Sequence, residues 1–212
     1  KLREWLETAL TAARLLMDRK SESDHLGNLG ITWRNLGEPH RAIEYYGQAL
    51  EISREIGDRR SEGNAISNLG LAWANLDESR RAIEYYEQAL VINREISDRY
   101  NEGQTLGNLG ITWCRLSELR RGISYYEQAL AINREIGNRR GEGANLNNLG
   151  LAWADLGEFR RAVEYYEQAL AISNEIGDKH STGSVLNNLG LVWANLGEPH
   201  RAIEYYGQAL EI

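Results

Sequence analysis

The chain has 212 residues, with 24 Lys and Arg against 31 Asp and Glu, and a formal net charge of −7. That balance disfavours nonspecific attraction to nucleic acid or to an anionic membrane, whose phosphates call for a basic surface. Cys114 is the single cysteine and excludes an internal disulfide, while no apolar run approaches the roughly 18 residues of a membrane helix and the first residues lack a signal-peptide core. The expectation is a cytoplasmic protein with neither nucleic acid nor membrane as partner.

Asn28-Leu29-Gly30, Asn68-Leu69-Gly70, Asn108-Leu109-Gly110, Asn148-Leu149-Gly150 and Asn188-Leu189-Gly190 recur at a strict spacing. Self-similarity at a fixed period marks a repeat array, in which each unit buries its apolar surface against its neighbours. In chain order, residues 1–20 align with 41–60, Ala9-Leu10 matching Ala49-Leu50 and Asp18-Arg19-Lys20 matching Asp58-Arg59-Arg60. They are expected to form the second helix of a truncated repeat. Full repeats follow over 21–60, 61–100, 101–140 and 141–180, with a last, truncated repeat over 181–212, so that 1–212 is predicted to be a single array without a domain boundary. Because the chain opens on Lys1 and stops at Ile212 inside a repeat, a fragment of something larger is expected. Segments 37–52 and 197–212 are identical, which implies internal duplication.

Within 61–100, Ile66, Leu69, Trp73 and Leu76 share one face of a first helix. Ala82, Ile83, Tyr86, Ala89, Leu90 and Asn93 supply the same periodicity in a second helix, with Glu78, Arg80, Glu84, Glu87 and Arg94 predicted to stay wet. Leu36-Gly37, Leu76-Asp77, Leu116-Ser117, Leu156-Gly157 and Leu196-Gly197 mark the turn inside each repeat. Gly57-Asp58, Ser97-Asp98, Gly137-Asn138 and Gly177-Asp178 place a helix stop directly before an N-cap residue. Pro39 and Pro199 fall near the first turn of a helix, where proline is tolerated.

The pattern Leu69-Gly70-x-x-Trp73, Ala82, Tyr86, Ala89 resembles the tetratricopeptide repeat. The resemblance implies an all-α, right-handed superhelical solenoid of antiparallel helix pairs whose first helices line a concave groove that receives a peptide. The chain departs from the family's usual period of thirty-four, and Arg54, Arg94, Arg134 and Asn174 stand where the family closes a repeat with proline. The longer unit, with its Asp58-Arg59-Arg60-Ser61-Glu62-Gly63 turn, is similar to repeats of the Leu-Gly-Asn polarity scaffolds, of bacterial signalling ATPases and, more distantly, of kinesin light chain.

The helical wheel puts Asn64, Ser67, Asn68, Leu71 and Asn75 opposite the apolar stripe, on the face expected to line the groove. Asn28, Asn68, Asn108, Asn148 and Asn188 form a ladder on it, doubled by Asn147 and Asn187. Each amide offers two donors and an acceptor, enough to pair with a peptide backbone or to bridge neighbouring helices. Ile31, Leu71, Ile111, Leu151 and Leu191 form an aliphatic row that either meets a ligand or packs between helices. Repeats differ at Asp24/Asn64/Gln104/Ala144/Ser184 and at Asn35/Asn75/Arg115/Asp155/Asn195, where Arg115 and Asp155 either anchor ligand charges or pair with each other. Trp33, Trp73, Trp113, Trp153 and Trp193 follow the core stripe and are read as scaffold. Arg59-Arg60 and Arg139-Arg140 are read as a solvent face neutralised by acids such as Glu55 and Glu62. His25, His40, His180 and His200 show no metal-ligand spacing, and no cofactor motif or catalytic constellation is present, so neither metal nor cofactor nor enzymatic activity is expected.

Two readings of function follow. One is a non-enzymatic protein–protein interaction module holding a partner's peptide. The other is a regulatory, sensor or self-assembling segment of a larger multidomain signalling protein, self-association running through exposed array ends at Ile203, Tyr206 and Leu210.

Overall fold

The structure, a computed structural model, describes residues 2–212. They fold into eleven helices: α1 (Leu2–Leu15), α2 (Arg19–Asn35), α3 (Pro39–Ile56), α4 (Arg59–Asn75), α5 (Ser79–Glu95), α6 (Arg99–Arg115), α7 (Leu119–Glu135), α8 (Arg139–Asp155), α9 (Phe159–Glu175), α10 (Lys179–Asn195) and α11 (Pro199–Leu210). The all-α expectation therefore holds for the described residues. Two compact units are present, Lys1–Asn108 and Leu109–Ile212. In the first, α1 packs on α2, α2 on α3, α3 on α4 and α4 on α5, and α2 also touches α4. In the second, α7 packs on α8, α8 on α9, α9 on α10 and α10 on α11, and α8 also touches α10.

The turn chemistry explains the helix ends. Gly37, Gly57, Gly137, Gly157, Gly177 and Gly197 all take positive φ, the left-handed conformation that closes a helix, and Asp77, Ser97 and Ser117 adopt it without being glycine. The next helix begins at once: Asp58 Oδ1 accepts the backbone N–H of Ser61 at 3.0 Å, and Asp18, Asn138 and Asp178 cap α2, α8 and α10 in the same way. Pro39 and Pro199 open α3 and α11, where a missing N–H costs nothing.

Inside each hairpin a tyrosine ring lies flat against a glycine. A Cβ on Gly70 would stand 2.8 Å from Tyr86 Cδ1, and one on Gly150 would stand 2.6 Å from the same atom of Tyr166. Tyr46, Tyr86 and Tyr166 are fully buried around this contact. Burial pushes the Tyr46 phenol up to about 12, against the opposing charge of Arg34. The hairpin of α6 and α7 contains a compensated variant. Cys114 replaces the equivalent Ala74, and Gly122 replaces Ala82; a Cβ on Gly122 would overlap the Cys114 sulfur.

The tryptophans correct one expectation. Trp33 is buried, but Trp73, Trp113, Trp153 and Trp193 are only half-buried. Each indole is roofed by an arginine of the following helix, Arg81 at 4.6 Å from the Trp73 centroid and Arg121 at 4.7 Å from that of Trp113. They remain scaffold, but as rings sandwiched between core and a guanidinium.

The joints between repeats carry a second correction. Glu62 is buried and accepts Arg54 Nε at 2.9 Å together with a guanidinium N–H of Arg59. Arg59 also bonds Glu95, whereas Glu55 is the partner of Arg19. The arginine pairs are thus neutralised: Arg59 pairs with Glu62 as the sequence suggested, but its second partner is Glu95, one repeat on, in place of Glu55, and Arg60 and Arg140 face Asp98 and Asp178. Glu22 is held likewise by Arg14 and Arg19, Glu102 by Arg94 and Arg99, and Glu142 by Arg134 and Arg139. At the last joint all three members change together, to Thr182, Asn174 and Lys179, and the Thr182 hydroxyl sits 3.0 Å from Ser173 Oγ and 3.3 Å from Asn174 Oδ1.

Two predictions follow from this packing. Gly122→Ala alone should destabilise the protein by about 1–3 kcal/mol through overpacking, and adding Cys114→Ala should recover most of that loss, because it recreates the alanine pair of the second full repeat. Urea titrations of the two single variants and the double variant measure this coupling, which would be absent if the sites were independent. Acid should also loosen the joints. Burial alone would raise the Glu22 carboxyl, but hydrogen bonds from Arg14 and Arg19 outweigh it and hold it below its ordinary value. The Ser61 backbone N–H lowers Asp58, and Arg59 lowers Glu95. Groups depressed by folding stabilise fully above the unfolded-state pKa and lose that contribution as pH falls through the folded one. Calorimetric melting temperature is therefore expected to stay level from neutral pH to about 5.5 and to drop steadily below about pH 4.

Candidate functional site

The first helices α2, α4, α6, α8 and α10 turn their apolar stripe to the second helices, which leaves the asparagine-rich face uncovered. In the first unit this face opens on a cavity of about 510 Å³ between α2, α4 and α6. It gathers Asn28, Ile31 and Asn68 with Asp24, Asn64, Ser67 and Gln104, all on the face read from the sequence. Asn93 and Asn101 join them, along with the small residues Gly27 and Gly63, which keep the crevice open. Buried Asn93 donates to Thr105 Oγ1 at 3.1 Å, and Asn101 Nδ2 reaches Asn64 Oδ1 at 3.3 Å. Asp24 is the one formally charged residue lining it, so the wall is polar and nearly neutral.

In the second unit a cavity of about 400 Å³ lies between α8, α9 and α10. Asn147 and Asn148 line it above a floor of Ala169, Ile172 and Val185, with Arg140, Asp178 and His180 at the rim. Arg140 and Asp178 stand 3.7 Å apart. Asn188 Nδ2 donates to Asn147 Oδ1 at 3.0 Å, so for this pair the amides bridge neighbouring helices. Among the described residues, the side-chain amides of Asn28, Asn68 and Asn148 take part in no such bond.

The other expected positions lie outside both cavities. Leu71 is half-buried, while Ile111, Leu151 and Leu191 are progressively more exposed, at 39%, 47% and 57%. Asn187 is exposed and Asn108 half-buried. Asn35, Asn75, Arg115, Asp155 and Asn195 sit exposed at the C-terminal ends of their helices; Asn35 accepts from Arg34, and Asn195 donates to the carbonyl of Leu191. Asn101, Ser61, Arg140, Asp178 and His180 are cavity residues that the helical wheel of positions 24–36 did not reach. Their signal lay one turn earlier, in the variation Lys20/Arg60/Tyr100/Arg140/His180 at the start of each first helix.

The arrangement suits hydrogen bonding rather than covalent chemistry. Burial pushes the Cys114 thiol up, the reverse of the activation a nucleophile needs, and the Tyr126 hydroxyl only partly offsets it. Among the described residues no group of three His, Cys, Asp or Glu is placed to hold a metal, and no helix is long and apolar enough to cross a membrane.

Residues 21–95, 101–175 and 142–212 each match the family model described as the tetratricopeptide repeat. A search of curated proteins found no match. Among solved structures the chain is similar to BtubC (BKLC) from P. vanneervenii, with a TM-score of 0.89 and 21% identity over 99% of this chain and 88% of that one. It is also similar to a putative kinesin light chain with nearly identical TPR-like repeats from Podosopora anserina, with a TM-score of 0.74 and 20% identity over 88% and 92% of the two chains. A third likeness is to a signal transduction ATPase with a tetratricopeptide repeat sensor from Pyrococcus horikoshii, with a TM-score of 0.81 and 21% identity over 92% of this chain and 31% of that one. At these identities the likeness establishes the fold alone.

Proposed function

Because the chain belongs to the tetratricopeptide repeat family, we propose that it works as a non-enzymatic protein–protein interaction module whose asparagine-rich face holds a peptide segment of a partner. The observation that carries this reading is the set of amides at Asn28, Asn68 and Asn148. They line cavities of about 510 and 400 Å³ and are left unengaged by the protein among the described residues. Asparagine is a mediocre helix former, so its mid-helix recurrence calls for a compensating interaction. An extended backbone offers alternating donors and acceptors to which such amides bond without regard to side-chain identity. Selectivity then falls to the positions that vary between repeats, notably Asp24, Gln104, Ala144, Arg115 and Asp155. Neither nucleic acid nor membrane is a partner in this proposal, and the setting is cytoplasmic.

The test is an arrayed library of twelve-residue peptides probed with the wild type and with an Asn28/Asn68/Asn148→Ala variant of matching circular dichroism. Loss of three amide contacts is expected to weaken captured peptides by about tenfold or more. Equal affinities would sink the proposal.

A second reading, a self-assembling or regulatory segment, draws on one feature. Residues 197–212 repeat 37–52, yet Tyr46 is fully buried whereas its counterpart Tyr206 is 36% exposed, and Ile43 and Leu50 are half-buried whereas Ile203 and Leu210 are 67% and 89% exposed on α11. Light scattering across a concentration series should show association if that face stacks on another copy; a monomer throughout would remove this reading.

A further inference from the structure

We infer that the second unit carries another binding site, a notch of about 320 Å³ enclosed by α9, the end of α10 and the start of α11, which takes an acidic residue flanked by an aliphatic one in a peptide segment of a partner protein. Arg160, Val163, Trp193, Leu196, Glu198 and Arg201 line it. None of these residues lines the amide-bearing cavity of the same unit, so the inference stands apart from the function proposed above.

The arginines of this chain fall into two groups. Those at the joints between repeats, such as Arg134 and Arg139, are committed to buried or neighbouring carboxylates. Arg160 and Arg201 belong to the other group: among the described residues neither forms an ion pair, and Arg201 is held 4.4 Å above the Trp193 ring centroid. A guanidinium stacked on an indole is oriented in advance, with its N–H edge still open to a carboxylate. Glu198 shares the notch but bridges to neither arginine, which leaves one formal positive charge in excess. The Trp193 indole N–H is buried and unpartnered among the described residues.

One sequence difference sets the floor of this notch apart. Helices α3, α5, α7 and α11 carry Ile43, Ile83, Ile123 and Ile203 where α9 carries Val163. The floor beside Leu196 and the Trp193 ring is thus formed by a side chain one methylene smaller. An aliphatic side chain fits over that floor, and its neighbouring carboxylate then reaches the two guanidiniums, where charge-assisted hydrogen bonds are strongest. A neutral amide in the same place forfeits the charge.

The test uses the ¹⁵N-labelled chain and the blocked dipeptide N-acetyl-Ile-Glu-amide, following the Trp193 indole N–H by NMR. N-acetyl-Ile-Gln-amide and sodium acetate serve as comparison probes. The Glu dipeptide is expected to shift the Trp193 signal saturably, while the Gln dipeptide and acetate do not. Val163→Ile and Arg160→His install residues already carried at these positions by sister helices, so the fold is retained. Each should raise the dissociation constant about tenfold, the order expected for losing a fitted contact or one charge-assisted bond. An unmoved Trp193 signal, equal saturation by acetate, or wild-type binding by both variants would overturn the site. If a variant lowers the melting temperature, the Glu-against-Gln comparison on the wild type decides alone.

Discussion

Everything in the hairpins depends on how closely two helices approach at one point, where a tyrosine of the second helix lies on a glycine of the first. The 2.8 Å that would separate a Gly70 Cβ from Tyr86 is less than real Cβ atoms tolerate. The bare backbone is therefore a steric requirement, whatever glycine costs in helix propensity. With the ring seated there, the alanines around it can be fully buried, as Ala82 and Ala89 are. That spacing fixes which face of the first helix turns inward, and so which face is left to carry amides. The Cys114 and Gly122 pair shows the same rule at a second contact: a larger atom on one helix is admitted only when the other gives up its side chain.

Most of the fold was legible because its signals are local and repeated. The period, the N-cap residues and the stop glycines each act over a few positions, and five repetitions separate them from noise. Asp77, Ser97 and Ser117 take left-handed turns that neighbouring glycines made readable by analogy. What was less legible depends on distance in the chain. Beside Glu62, the second partner of Arg59 is Glu95 and not Glu55, a choice made by stacking geometry. The half-exposure of four tryptophans reflects an arginine arriving from the next helix, which a helical wheel drawn for one helix cannot contain. The amide face was readable at Asn28, Asn68 and Asn148. Its rim residues Arg140 and His180 were not, because they belong to the first turn, where capping dominates the pattern.

The departure from the family's closing proline has a physical account. Arg54, Arg94 and Arg134 occupy that place and reach forward to a buried glutamate in the next first helix. A proline ends a helix by steric exclusion; an arginine there lets the helix continue while fixing the start of its successor. The buried carboxylate is acceptable because two guanidiniums satisfy it together, and leaving one of them out would strand a charge. That explains why Thr182, Asn174 and Lys179 replace the whole set at once.

Three of the side-chain bonds that tie one repeat to the next bridge separations of 34, 36 and 41 positions, from Arg134 to Gln168, Arg59 to Glu95 and Asn147 to Asn188. Each of these is close to one period. A gene encoding such a chain can lose or gain a whole period with these bonds still in register wherever the joined repeats carry the arginine–glutamate set, whereas an excision of any other length leaves arginines facing the wrong register. A step of one period thus leaves such joints in register, and the identity of 37–52 and 197–212 is the trace such a step would leave.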